Sequence, residues 1–454
     1  MSTAVSKTRN LSEGPIVRGA LSLAWPIAAA MFFEFALGIT DFFWIGRLGA
    51  EPQDAMTSCL IVSWTMFSLA QLITIGVNAL VARNFGAQNI QRAGYIRSQG
   101  IKLSLLSGVV VAAVGALASE KILIFMAAEP AVITHGVSYL RVYFFAAPAL
   151  FVVETVGVVF RASGNTRIPM LVSLVGVGMN IILDPILIFG WGPAPEMGMA
   201  GAAWGTLLSL TADLLLYALF IQRGKLACQL SDLRRFALEK KINLGIVKIG
   251  LPMTVHYLVF VGVYMVVIQV VHHFGHVAGA AMGIGNRLES INFLGATALS
   301  LAGSAIIGQN LGAGKHRRAS HTAWVITGLG GVFTAVTSAL FIIFPSELAG
   351  VFTDDLNVIE VARSYLIILG LSQVFMAAEI IMEGAFSGAG DTVPPVVISI
   401  PGSLIRIPMA YFLAIHLDLG INGVWWTFSV TTALKALLLM HWFSRNRWMS
   451  KSIE

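Results

Sequence analysis

Hydrophobic residues in this chain come in long runs, not in alternation with polar ones. The runs break at polar or Gly/Pro-rich points and predict twelve helices, near 17–45, 54–82, 99–118, 136–160, 168–189, 198–222, 246–272, 278–307, 321–344, 358–386, 395–415 and 422–443. A helix needs about 20 apolar residues to cross a bilayer, and several runs are longer, which predicts tilt, kinks or helices projecting beyond it. Pro26 and Pro252, inside the first and seventh runs, are the candidate kinks. The first run is too long for the apolar core of a signal peptide and reads as a retained span.

Composition points the same way: 57% of residues are hydrophobic, 11% are charged, and the mean hydropathy is +0.81. A soluble domain carries about 25% charged residues, so an ordinary soluble enzyme is excluded. Twelve spans take roughly 240 residues and leave no space for a separate catalytic domain. The net charge of +6 does not indicate nucleic acid, because the basic residues are sparse and set among apolar ones. Their placement marks membrane sides instead. With both termini cytoplasmic, the tails and inner loops hold 20 of the 29 Lys and Arg residues, and the outer loops hold two, Arg47 and Lys121, as the positive-inside bias requires. The expectation is a multi-pass protein of the cell inner (plasma) membrane. Cys59 lies in an apolar run and Cys228 in a basic stretch read as cytoplasmic, so no disulfide is expected between them.

The chain also matches itself. At an offset of 226, Pro26 aligns with Pro252, Asn84 with Asn310, Gly86 with Gly312, Tyr139 with Tyr365, Gly164 with Gly390 and Pro169 with Pro395. This reads as a duplicated bundle of six helices: an N-terminal lobe at 1–222, a cytoplasmic basic linker at 223–245 and a C-terminal lobe at 246–454. Six is even, so the halves share an orientation and are expected to be related by a pseudo-two-fold axis along the membrane normal. Two such bundles are the build of a secondary transporter.

Other chemistries find little support. The stretch Gly308-Gln-Asn-Leu-Gly-Ala-Gly314-Lys315-His316 has five residues between its outer glycines where a phosphate loop has four, and a His where that loop holds magnesium with Ser or Thr. It reads as a loop between spans. His272, His273 and His276 cluster at the outer end of the seventh span without a Cys or carboxylate nearby to complete a metal site. No nucleophile motif stands out, so the chain does not read as an enzyme.

Carboxylates inside spans are costly and are functional candidates by default. Asp41 and Asp184 stand five and six residues before the outer-end glycines Gly46 and Gly190, which sets both roughly 8 Å below the outer boundary at about 1.5 Å per residue. Asn180 is one turn from Asp184, Thr206 in the sixth span reaches nearly the same depth, and Tyr139 lies near the outer start of the fourth. Two acids, an amide, a hydroxyl and a phenol make an oxygen-rich site for H⁺ or Na⁺. The second half does not repeat it: Asp41, Asn180 and Asp184 correspond to Val267, Arg406 and Ala410. Glu34, two turns inward of Asp41, is a candidate for lining a substrate cavity, as is Glu154, which also has Arg161 seven residues on. In the second half, Arg287, Glu289, Glu379, Glu383 and Arg406 are expected to compensate one another as structural or gating charges.

These residues resemble the MATE (multidrug and toxic compound extrusion) family. The likeness rests on Trp25-Pro26, Asp41-Phe-Phe-Trp-Ile-Gly-Arg-Leu-Gly49, Phe160-Arg-Ala-Ser-Gly-Asn-Thr-Arg-Ile-Pro169, Asn180-Ile-Ile-Leu-Asp-Pro-Ile-Leu-Ile-Phe-Gly190 and Gly198-Met-Ala-Gly-Ala-Ala-Trp-Gly-Thr206, with Gly308-Gln-Asn-Leu-Gly312 and Gly384-Ala-Phe-Ser-Gly-Ala-Gly-Asp-Thr392 in the second half. Asp41, Asp184 and Asn180 look like the DinF-like branch, whose first bundle carries the cation site. The resemblance implies a V-shaped pair of six-helix lobes and export of organic, often cationic or amphiphilic, compounds against H⁺ or Na⁺, without a cofactor. Other branches carry a Glu eight residues after the proline of span seven; that position here is Phe260, and its first-half counterpart is Glu34. The small organic substrates and the lipid bilayer are the expected partners of a monomer. Two other readings remain open: a flippase or exporter of a lipid-linked or physiological metabolite, and an intramembrane enzyme acting on lipid.

Overall fold

The computed structural model describes residues 10–126, 130–192, 194–224 and 237–451, and these are built of helices and connecting turns. Cys228 and most of the basic linker lie outside the described residues. Apolar side chains with no water to serve the backbone leave the helix as the solution that satisfies every amide internally. The order is α1 (Ile16–Gly46), α2 (Ala50–Gly86), α3 (Ile90–Phe125), α4 (Pro130–Phe145), α5 (Ala147–Ala162), α6 (Arg167–Phe189), α7 (Met199–Gln222), α8 (Lys240–His273), α9 (His276–Gly312), α10 (His316–Ile343), α11 (Pro345–Gly350), α12 (Leu356–Gly370), α13 (Gln373–Ala389), α14 (Val393–Leu404), α15 (Arg406–Tyr411) and α16 (Ile421–Ser444). Among the described residues ten helices are long and apolar enough to cross a membrane, or twelve if each of two bent pairs forms one span. Large apolar side chains such as Leu117 and Phe125 are almost fully exposed, as they are when lipid is the solvent.

The bent pairs correct two expected spans. The runs at 136–160 and 358–386 are not single straight helices: α4 meets α5 at 49° and α12 meets α13 at 53°. The breaks fall at Ala146 and Ser372, which the internal repeat aligns with each other. At the second, hydroxyls serve the carbonyls around the break: Ser429 Oγ donates to Ile368 O at 2.9 Å, and Leu369 O accepts from Ser372 Oγ at 3.0 Å as well as from Ser372 N at 2.9 Å. Pro26 and Pro252, in contrast, lie inside helices assigned without interruption.

The repeat is visible in local geometry. Asn84 Nδ2 donates to Leu80 O at 2.9 Å and Asn310 Nδ2 to Ile306 O at 2.7 Å, one turn back in each helix. Each helix then ends in the same turn, with Gln88 and Gly314 at φ of 60° and 71°. The stretch comparable in sequence to a phosphate loop is therefore the end of α9 and a tight turn into α10.

The chain forms two compact units, and their division does not follow chain order. The first contains Trp25–Gly250, and the second contains Ser12–Ala24 with Leu251–Glu454. The start of α8 thus belongs to the first unit, and glycine is the reason. A Cβ on Gly250 would lie 1.9 Å from Leu72 O, and one on Gly76 would lie 2.2 Å from Ile246 O. One glycine on each helix lets the two backbones approach this closely in lipid, where packing and not hydrophobicity drives association. The second unit, in turn, holds the start of α1: Lys315 Nζ donates to Ser12 O at 3.0 Å and Arg318 to Gly14 O at 2.6 Å. Both divisions fall next to the prolines, between Ala24 and Trp25 and between Gly250 and Leu251.

Candidate cation site

In the first unit, four helices bring the predicted outer residues together. Asp41 comes from α1, Asn180 and Asp184 from α6, Thr206 from α7 and Tyr139 from α4. Asp184, Asn180 and Tyr139 are 0%, 1% and 3% exposed, and Asp41 is half-buried. The two aspartate carboxyls lie side by side, both against the Asn180 amide, and close enough to act on one another. With the Asn180 amide nitrogen toward the acids, it donates to Asp184 Oδ1 and to Asp41 Oδ1, both at 3.3 Å, while its oxygen accepts from Thr206 N at 3.0 Å. Thr206 Oγ1 is turned to Ala202 O at 3.1 Å. Tyr139 packs parallel to Tyr143 with ring centroids 5.5 Å apart.

Two carboxyls placed this way can hold one proton between them, and the Asn180 amide faces both. A hard cation such as Na⁺ needs several oxygens, and the same cluster supplies them if the Asn180 amide turns its oxygen inward and the shared proton leaves. Both ions therefore fit the donor set.

Three members were not singled out from sequence. Gly205 leaves the space the site occupies, since a Cβ there would lie 2.6 Å from Asp184 Oδ1 and 3.4 Å from the Asn180 amide atom that faces Thr206. Tyr143 stacks on Tyr139, and Ser63 of α2, whose hydroxyl donates to Cys59 O at 3.1 Å, stands near the Tyr143 phenol. Gly205 stands beside Thr206 in the quoted motif, so a signal existed; nothing in the sequence marks Ser63.

Two turns back along α1 from Asp41 lies a second acidic group. Glu34 is exposed and accepts from Ser173 Oγ at 3.1 Å. Glu154 faces Arg161 at 3.9 Å. A third acid, Asp213 of α7, lies within electrostatic range of Glu34 and Glu154 and was missed from sequence. It is the one carboxylate in the apolar run of α7, and that is a readable signal.

In the second unit Arg406 lies within electrostatic range of Glu379 and Glu289, as the expected compensation has it. The charges of this unit find other direct partners: Glu379 accepts from Lys435 Nζ at 2.5 Å, and Glu383 accepts from Ser399 at 2.7 Å with His256 at 3.4 Å. Glu289 accepts from Tyr365 at 2.6 Å and from Gln373. Arg406 donates to Thr431 and Thr432, both at 2.9 Å, and lies over the Phe428 ring. Arg287 is exposed. Lys435 and His256 supply direct contacts that the sequence reading did not name, because those contacts cross between helices far apart in the chain. Among the described residues no three His, Cys, Asp or Glu side chains converge on a metal-sized position, His272, His273 and His276 included.

Comparison with known proteins adds an independent line. The profile of the MatE family matches twice, at residues 26–186 and 252–412, the second match displaced from the first by the offset of the internal repeat. A probable multidrug resistance protein NorM of Burkholderia pseudomallei is 30% identical over 437 residues, covering 93% of this chain and 91% of that protein. An FAD transporter of Shewanella oneidensis is 26% identical, covering 94% of each. A crystal structure of MATE in the straight conformation superposes with a TM-score of 0.89 at 22% identity over the full length of both chains. A double family match, a relative aligned nearly end to end and a shared helical fold together place this chain in the MATE family of integral membrane transporters.

Proposed function

We propose that the protein is a secondary multidrug exporter, moving organic, often cationic or amphiphilic, compounds outward by alternating access in exchange for H⁺ or Na⁺. Relatives named as multidrug resistance and export proteins support the export reading. One observation carries the coupling: Asp41 and Asp184 come together in the first unit with the Asn180 amide against both, while the second unit has Val267, Ala410 and Arg406 at the matching positions. An external cation displaces the shared proton, or an external proton completes the pair. Either event rearranges α1 against α6 and lowers affinity for cargo. Coupling requires that the ion bind the two states of the carrier with different affinity. Glu34 and Glu154 line the cargo cavity, and the basic inner loops keep both termini cytoplasmic.

The test is transport in proteoliposomes under a pH gradient or a Na⁺ gradient imposed separately, for the wild type and Asp41→Asn. One gradient should drive export in the wild type and neither in the variant, at equal amounts of folded protein. Wild-type rates in Asp41→Asn would overturn the assignment.

The FAD transporter among the relatives favours a second reading, export of a physiological metabolite with drug export incidental. Accumulation of one metabolite in a deletion strain, without drug sensitivity, would select it.

A further inference from the structure

After the outer loop that precedes α7 and α16, the repeat shortens: Gly198 aligns with Gly420 and Gly201 with Gly423, an offset of 222. At that spacing Asp213 corresponds to Lys435. Packing supports the match. A Cβ on Gly176 would lie 2.5 Å from Asp213 Oδ1, and a Cβ on Gly402, its counterpart in the repeat, would lie 2.5 Å from Lys435 Cγ. One glycine-walled slot therefore holds an acid in the first unit and a base in the second.

The second unit completes its slot with an opposite charge. Lys435 is 2% exposed and donates to Glu379. The first unit has Val153 where the second has Glu379. Asp213 is 8% exposed, and its Oδ1 has no hydrogen-bond partner. Glu34 of α1 and Glu154 of α5 are the charges that act on it, and both are acids. Arg161, also on α5, faces Glu154, and Tyr217 on α7 lies on the Arg161 side, near Gly157. α6 contributes the Gly176 backbone beside Asp213 and Ser173, whose hydroxyl donates to Glu34 at 3.1 Å. A bare carboxylate oxygen among like charges in a low dielectric costs several kcal/mol unless a positive charge joins it. A side chain packed against the Gly176 backbone admits a proton but not an organic ammonium group.

We infer that Asp213, Glu34 and Glu154 form a second proton-holding site in the first unit, inward of the Asp41 and Asp184 pair. Asp213 holds the proton. Glu34, the exposed member, takes it from the Asp213 carboxyl and passes it to water, so the only bonds broken and made are O–H. Glu34 lies seven residues inward of Asp41 on the same helix, about 10 Å along its axis. The site thus stands on the inward side of the outer pair. This rests on the proposed exporter reading and deepens its proton branch, giving the proton a release station.

The experiment is infrared difference spectroscopy of the full-length protein in proteoliposomes after a pH jump, together with pH-driven transport. The Asp213→Asn variant should lose one protonated-carboxyl C=O band that Asp41→Asn retains, and its transport should fall at least ten-fold. Asn is the isostere of a protonated Asp, so this variant should melt within a few degrees of the wild type. Asp213→Glu should recover most of the rate, and Glu34→Gln should keep the band but slow transport at least ten-fold. The pair Val153→Glu with Asp213→Lys writes the second unit's ion pair into the first and should fold without the band. A band unchanged by Asp213→Asn, or wild-type transport in that variant, would overturn the inference. So would a ten-fold loss of equilibrium ethidium binding in Asp213→Asn with the band intact, which would mark a cargo subsite instead. Wild-type transport in Asp41→Asn would strike the coupling reading alone, because the infrared band reports on Asp213 independently.

Discussion

Asp41 and Asp184 sit far apart in sequence and meet at the Asn180 amide, and the residue that permits this is one without a side chain. Gly205 is where α7 passes closest to the pair. An added methyl there meets a carboxylate oxygen at 2.6 Å. Gly205→Ala should therefore cut transport at least ten-fold while shifting the melting temperature of the detergent-purified protein only slightly, because the carboxylate can swing away and the helix itself gains from alanine. Gly178→Ala on α6, with nothing within 4 Å of the new methyl, should transport normally and be stabilised by about 0.5–1 kcal/mol, the ordinary helix preference for alanine over glycine. A matched loss of transport in both variants would show that glycine flexibility, and not the space at Gly205, is what matters.

Helices in lipid gain nothing from hiding apolar faces from one another, so specific seams decide which element joins which. The seam of Leu72 and Gly76 with Ile246 and Gly250 attaches the start of α8 to the first unit. Gly250→Ala places a methyl 1.9 Å from a backbone oxygen, and helix backbones do not yield cheaply. It should destabilise the protein by about 1–3 kcal/mol, the usual range for overpacking, measured by thermal unfolding in detergent. Gly262→Ala on the same helix, with open space around it, is the control. The pair of Glu379 and Lys435 gives a second test between α13 and α16. Lys435→Met alone leaves a buried carboxylate without its partner and should cost about 3–5 kcal/mol. Adding Glu379→Gln should recover most of that loss, and no recovery would mean that Glu379 is held by other charges.

The protein as a whole is two units whose boundary exchanges the beginnings of α1 and α8. Cutting the chain within 225–236 and expressing the pieces separately should give no stable protein from either, since each piece carries a helix start that belongs to the other unit. Co-expression should restore a folded, active pair, as judged by size-exclusion elution and drug resistance. Stable single halves would refute the exchange. Much of this architecture was legible beforehand. Apolar runs long enough to cross a bilayer marked the helices, the placement of lysine and arginine marked the expected sides, and the single offset between matching motifs marked the duplication, because each follows from one-dimensional spacing along a chain in lipid. The depth of Asp41, Asn180 and Asp184 was legible too, since position along a helix is distance across a membrane. The sequence could not say which helix faces which. The breaks at Ala146 and Ser372, the pairing of Glu379 with Lys435 and of Glu383 with His256, and the turning of Asp213 toward Glu34 and Glu154 depend on rotation about helix axes and on contacts between segments far apart in the chain. Small residues such as Gly176 and Gly402 set those contacts, and their effect exists only once a neighbour's side chain fills the space they leave. The sequence by itself thus determined the helices, the repeat and the register of the acids along their helices, while the tertiary structure alone decided which of those acids lie together, which meet a base and which are left to find a positive charge elsewhere.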